Sequence, residues 1–150
     1  MIRYSSEVTI NRPPRAVYEA LLDPDRYAQW TPMVDMAFED DGPRRVGQRG
    51  HFRMSSGPIK GRLEMEIVEL EPDRKVSFRV SHPSLDWLAV NTIQPDGEGS
   101  RLTYAGELSL RGALRLMEPF MRGEVERGEA GEAMKLKALL ESEVDAATPA

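Results

Sequence analysis

From Val34 onward the side chains alternate between apolar and polar for about seventy-five residues, interrupted by clusters of glycine and proline. Val34, Met36 and Phe38 oppose Asp35, Ala37 and Glu39, and after the Asp41-Gly42-Pro43 turn Gly50, Phe52 and Met54 oppose Arg49, His51 and Arg53. Leu63, Met65 and Ile67 then oppose Arg62, Glu64 and Glu66, whereas Val68 and Leu70 fall out of step, which predicts a β-bulge. Val76, Phe78 and Val80 alternate with Ser77, Arg79 and Ser81, and Leu102, Tyr104, Gly106, Leu108 and Leu110 with Arg101, Thr103, Glu107 and Ser109. Between them Trp87, Ala89, Asn91 and Ile93 share one face against Leu88, Val90 and Thr92. A period of two sends every apolar group of a strand to one side of a sheet, and short connections make successive strands antiparallel. Six strands of this kind have one apolar face, and something must cover it.

The cover lies at the two ends of the chain. Tyr4, Ser6, Val8 and Ile10 alternate with Arg3, Ser5, Glu7 and Thr9, which adds a first strand. Asn11 before Pro13 and Pro14, and Asp23 before Pro24, are cap-plus-proline signals that predict two short helices, the first burying Val17, Ala20 and Leu21 and the second carrying Tyr27 and Trp30. Residues 112–142 hold the one long helical pattern, in which Leu114, Met117, Met121, Val125, Gly128, Glu132, Leu136 and Leu139 step by three or four. Ala113, Leu116 and Phe120 widen that stripe, so its first turns are expected to be buried. Gly123, Gly128 and Gly131 thin its middle, which allows a bent or broken helix or, alternatively, room for a guest beneath it. Pro119 is expected to bend the first turns or to start the helix anew. The prediction is an α+β chain, one domain over residues 1–150, with a seven-stranded antiparallel sheet curved around a C-terminal helix and two short helices between strands 1 and 2. A frayed tail is expected over 146–150.

Several local features resemble one family. They are Asn11-Arg12-Pro13-Pro14-Arg15-Ala16-Val17-Tyr18 after the first strand, Tyr27-Ala28-Gln29-Trp30-Thr31-Pro32, Val46-Gly47, Gly99-Ser100-Arg101-Leu102-Thr103 at the last strand and Leu136-Lys137-Ala138-Leu139-Leu140-Glu141 near the end. Together with the order of elements they resemble the helix-grip fold of the START-like, or SRPBCC, superfamily, in its polyketide cyclase/dehydrase and lipid-transport branch. Ser100 stands where family members often have threonine. The resemblance implies a hydrophobic cavity between sheet and helix that binds lipids, polyketides or related apolar molecules, and it places Trp30 at the cavity mouth, where plain core packing is the other reading.

Composition narrows the functions. A net charge of −5 argues against nucleic-acid binding, which rests on lysine and arginine at phosphates. No apolar run reaches the length of a membrane span, and the first residues lack a signal-peptide core, so a cytoplasmic location is expected. With no cysteine and no histidine pair at ligand spacing, no metal site is expected, and no motif calls for a cofactor. Inward positions Gly50, Ala89 and Gly106 are small, and missing volume on a sheet face suggests a pocket. The expected lining is Trp30, Phe52, Met54, Met65, Phe78, Trp87, Asn91, Tyr104, Met117, Phe120 and Met121. Asn91 and Tyr104 are the polar groups expected to orient a guest, and His82, at a strand end before Pro83, is a rim candidate for acid or base work. His51 reads as a surface residue. The run Arg122, Glu124, Glu126, Arg127 and Glu129 reads as a solvated helix face. The expected function is binding of a small hydrophobic or amphipathic molecule. The alternatives are a polyketide aromatase/cyclase or dehydratase using Tyr104, Asn91 and His82, and a protein-binding module resembling heat-shock ATPase activators that would use the outer sheet face. A homodimer is compatible with all three.

Overall fold

A computed structural model describes residues 1–147, with side chains through Glu143. The expected tail falls outside the described residues from 148 on, and 146 and 147 close the last helix. The chain runs β1 (Ile2–Ile10), α1 (Pro14–Leu21), a 3-10 helix (Pro24–Gln29), β2 (Met33–Phe38), β3 (Arg49–Met54), β4 (Arg62–Glu71), β5 (Lys75–His82), β6 (Leu85–Asp96), β7 (Gly99–Leu110), a second 3-10 helix (Gly112–Met117) and α2 (Glu118–Ala147). All seven strands form one sheet in the order β1-β7-β6-β5-β4-β3-β2, every pair antiparallel. This is the seven-stranded antiparallel sheet the alternation predicts, in the helix-grip arrangement the resemblance implies.

The local signals explain most elements. The bulge falls where Val68 breaks the alternation, between Ile67 and Glu69. Trp87, Ala89, Asn91 and Ile93 are buried, and Leu88, Val90 and Thr92 form the wetter outer side of β6. Both prolines start their helices, and Asp23 accepts from the Asp25 amide at 3.1 Å. Asn11 does not cap α1. Pro13 occupies the cap position, and the Asn11 amide instead donates to Glu141 Oε2 at 2.8 Å.

That contact belongs to the anchorage of α2. Arg12 Nη1 donates to the Leu140 carbonyl at 2.8 Å and Lys137 Nζ to the Thr9 carbonyl at 2.7 Å, while Ala133, Leu136 and Leu140 are fully buried. The C-terminal half of α2 is therefore fixed to β1 by both apolar burial and hydrogen bonds. Its first turns differ from the expectation: Leu116 is 79% exposed and Phe120 78%. Pro119 starts α2 afresh after the 3-10 helix, so the three-and-four spacing counted across Glu118 does not continue one face. Met121 and Val125 are half-buried, and Glu118 Oε2 accepts the Leu110 amide at 3.1 Å. α2 then runs unbroken through Gly123, Gly128 and Gly131. Gly128 and Gly131 face open space, where an added Cβ would meet nothing within 4 Å, so they thin the outer side of the helix and not its underside.

Candidate functional site

Between the sheet and the first half of α2 lies a void of about 160 Å³, bordered by Met33, Met54, Leu63, Trp87, Leu108, Met121, Val125, Glu129 and Glu132, with Pro58 and Ile59 of the β3–β4 loop closing one side. A smaller void of about 30 Å³ adjoins it, lined by Tyr27, Trp30, Met36, Met65, Phe78, Ala89, Asn91 and Tyr104. Met33 and Trp87 border both. A void of about 150 Å³ is enough to hold a single aromatic ring. Larger and more open recesses lie on the surface, one of them around Pro14, Asp73 and Lys75.

Of the expected lining, Trp30, Met54, Met65, Phe78, Trp87, Asn91, Tyr104 and Met121 do border the two voids. Phe52 is 1% exposed and packs in the solid part of the core. Met117 and Phe120 point away, for the reason given by Pro119. Gly50 and Gly106 do not floor the pocket either. A Cβ at Gly50 would lie 2.6 Å from the Ala37 carbonyl oxygen, and one at Gly106 would lie 2.6 Å from that of Leu88 and against the Tyr4 hydroxyl. These glycines permit close approach of neighbouring groups. Ala89 is the small inward residue that does border a void.

His82 is a structural rim residue. Its Nδ1 accepts from the Ser84 amide at 3.0 Å, so the proton sits on Nε2, which donates to the Lys60 carbonyl at 2.8 Å and ties the β3–β4 loop to β5. It borders neither void.

The polar equipment of the site is a row of aromatics ending in two acids. Tyr27 and Trp30 stack with centroids 4.9 Å apart, Trp30 meets Tyr104 edge-on at 6.0 Å, and Tyr104 meets Tyr4 edge-on at 6.3 Å. Trp87 Nε1 donates to the Tyr4 hydroxyl at 2.9 Å, and the Tyr104 hydroxyl donates to Glu132 Oε2 at 3.2 Å. Glu129 lies one turn before Glu132 on the same side of α2. Its Oε2 is shut away from water and meets no donor among the described residues. A buried acceptor without a donor is costly, and a proton held between the two carboxyls removes the cost. Accordingly burial, and then the negative charge of Glu132, push Glu129 up to about 10. Burial raises Glu132 as well, against hydrogen bonds from Glu129 and Tyr104 that lower it. The pair therefore titrates together and keeps a proton at neutral pH. Burial, followed by the two glutamates, holds Tyr104 neutral.

Sequence reasoning missed this pair. Glu129 belongs to the charge run that reads as a solvated face, yet counting backward from buried Leu140 and Leu136 by threes and fours reaches Glu132, Glu129, Val125 and Met121 in turn. Two further atoms are orphaned in the smaller void. Trp30 Nε1, a donor, and Asn91 Oδ1, an acceptor, lack partners among the described residues, although Asn91 Nδ2 donates to the Val76 carbonyl at 3.1 Å. Among the described residues no group of three or more His, Cys, Asp or Glu is arranged for a metal ion, and no helix is long and apolar enough to cross a membrane.

An open antiparallel sheet closed by one long helix, with a part-hollow core between them, defines a helix-grip protein of the START-like superfamily. The chain belongs to its polyketide cyclase/dehydrase and lipid-transport family, which matches residues 1–141. No curated protein matches it in sequence. Among solved structures, the Zhui aromatase/cyclase from Streptomyces sp. R1128 superposes with a TM-score of 0.80 at 16% identity, covering 99% of this chain and 98% of that one. TTHA0849 from Thermus thermophilus gives 0.73 at 18% identity over 98% and 99%. The di-domain ARO/CYC StfQ from the steffimycin biosynthetic pathway gives 0.72 at 13% identity, covering 96% of this chain and 52% of that one. At such identities the likeness establishes the fold.

Proposed function

We propose that this chain is one ligand-binding domain that carries or senses a small, largely apolar molecule in the void beneath α2, acting in the cytoplasm. The observation that carries the reading is an apolar hollow beneath α2 that continues to two buried polar atoms without partners, Trp30 Nε1 and Asn91 Oδ1. Most buried polar atoms of native cores are satisfied, and a guest reaching the smaller void would supply the partners that these two lack. The family to which the chain belongs supports a ligand of lipid or polyketide type.

A catalytic reading draws on the same acids. A carboxyl kept protonated near neutrality beside a second carboxylate is suited to donate a proton to a carbonyl or leaving hydroxyl while its partner accepts one, the chemistry of a polyketide cyclase or dehydratase. Tyr104 would position Glu132 in that scheme. For a protein-docking role the outer sheet face offers charges that mostly answer one another, as in Arg49 with Glu66, Arg62 with Glu64 and Arg79 with Asp86.

Filling the void tests the binding reading. Val125 is half-buried on α2 and borders the larger void, so Val125→Phe adds bulk there without touching the sheet. A solvatochromic dye should bind the parent protein at submillimolar concentration and the variant at least tenfold more weakly. Equal dye affinity in both, with the fold intact by circular dichroism, refutes the assignment of the void as the binding site.

A further inference from the structure

The charges around the two voids are one-sided. Glu129 and Glu132 border the larger one, and among the described residues no lysine, arginine or histidine borders either. The titratable groups that face the acid pair from the packed elements are Tyr104 of β7, Tyr4 of β1 and Tyr27 of the first 3-10 helix, all burdened by burial toward the neutral form. On α2 itself Lys135 acts on Glu132 from the exposed side, and Lys137 is spent on the Thr9 carbonyl and Glu141. The pair, holding one shared proton, thus presents a carboxylate charge to an apolar space without a counter-ion from the protein.

We propose that the ligand of this cavity is an apolar molecule ending in a protonated amine, which supplies the missing cation to Glu129 and Glu132. This rests on the binding reading above and names the chemical class that it leaves open. An ammonium brings three N–H donors and one positive charge, so it hydrogen-bonds to the carboxyl oxygens and neutralises the pair in one step. The apolar remainder fills the space toward Trp87 and Met33, and Trp30 Nε1 with Asn91 Oδ1 await a second polar group, such as a hydroxyl, at the deep end. A fatty acid or phosphate ester meets the opposite situation, since its own charge would be buried beside a carboxylate with no cation in reach.

The test compares hexylamine, hexanol and hexanoate, which share a chain length and differ at one end, as displacers of a neutral solvatochromic dye at pH 7.5. The amine should bind at least tenfold more tightly than the alcohol, and hexanoate most weakly. In Glu129→Gln/Glu132→Gln, which keeps the shape and removes the charge, the amine and the alcohol should come within threefold of each other. Acidification that protonates both carboxyls should weaken the amine in the parent protein and leave the alcohol unchanged. An alcohol that binds as well as the amine, or an amine preference that survives in the double variant, overturns the ligand class and leaves the binding reading standing. If the dye itself fails to bind the parent protein, the binding reading falls first.

Discussion

Replacing Glu129 by glutamine isolates the energetic consequence of burying a carboxyl pair. In the folded protein Glu129 holds its proton up to about 10, whereas the unfolded chain releases it at an ordinary glutamate value near 4.5. Above that lower value the folded state therefore binds one proton more than the unfolded state, and stability falls as the pH rises. The contribution is complete below about pH 4.5 and is lost progressively toward the folded value. One proton corresponds to about 1.4 kcal/mol per pH unit at most, so between pH 6 and pH 8 about 3 kcal/mol is at stake. That is a large share of the 5–15 kcal/mol typical of a domain. Glutamine keeps the shape and can still donate to Glu132, but it does not titrate. Urea unfolding followed by tryptophan fluorescence, run on parent and variant at half-unit steps from pH 5 to pH 8.5, should show the variant gaining on the parent with every step. Carboxylates held below their ordinary range by hydrogen bonds, such as Glu69 with Lys75 and Glu141 with Lys137, lose their contribution in acid and do not disturb this window. A difference between the two proteins that stays level with pH would refute the claim that Glu129 is buried as an acid.

Leu136→Ala should cost about 2–5 kcal/mol in the same urea experiment, because Leu136 is fully buried where α2 is anchored to β1; a loss below 1 kcal/mol would mean that the anchorage lies elsewhere. Gly106→Ala should cost about 1–3 kcal/mol, since its Cβ would press on the Leu88 carbonyl and the Tyr4 hydroxyl, and parent-like stability would show that Gly106 is only a bend in β7.

How much of this could be read beforehand depends on which residues carried the signal. In most strands alternation places the inner face directly, as it does Phe78 and Tyr104, whereas in β6 it groups Trp87 with Asn91 but leaves open which side is inward, because Leu88 and Val90 make the other face apolar as well. The bulge at Val68 is equally visible. The helix is different. A stripe counted forward from Leu114 and Met117 is cut at Pro119, so it carries Phe120 inward on paper and outward in space. The same count puts Glu132 on the inward stripe but takes Gly128 before it and leaves Glu129 in the alternating charges from Arg122, so the pair goes unseen, since a glutamate among arginines looks solvated whichever way it points. For Gly50 and Gly106 the parity is right and the inference is wrong: nothing in one strand's sequence reveals that a neighbour's carbonyl or hydroxyl has already taken the space above it.

The sheet order has a consequence for how the protein is made. β1 is the first of these strands to leave the ribosome, yet its one neighbour in the sheet is β7, with Ile2 opposite Leu108 and Ile10 opposite Ser100. At ordinary rates of synthesis the interval between them is on the order of 10 s. Throughout it, Ile2, Tyr4, Val8 and Ile10 have neither their strand partner nor the helix that later covers them. Nascent chains stalled before β7 should therefore be bound by holdase chaperones far more strongly than chains released with α2 in place.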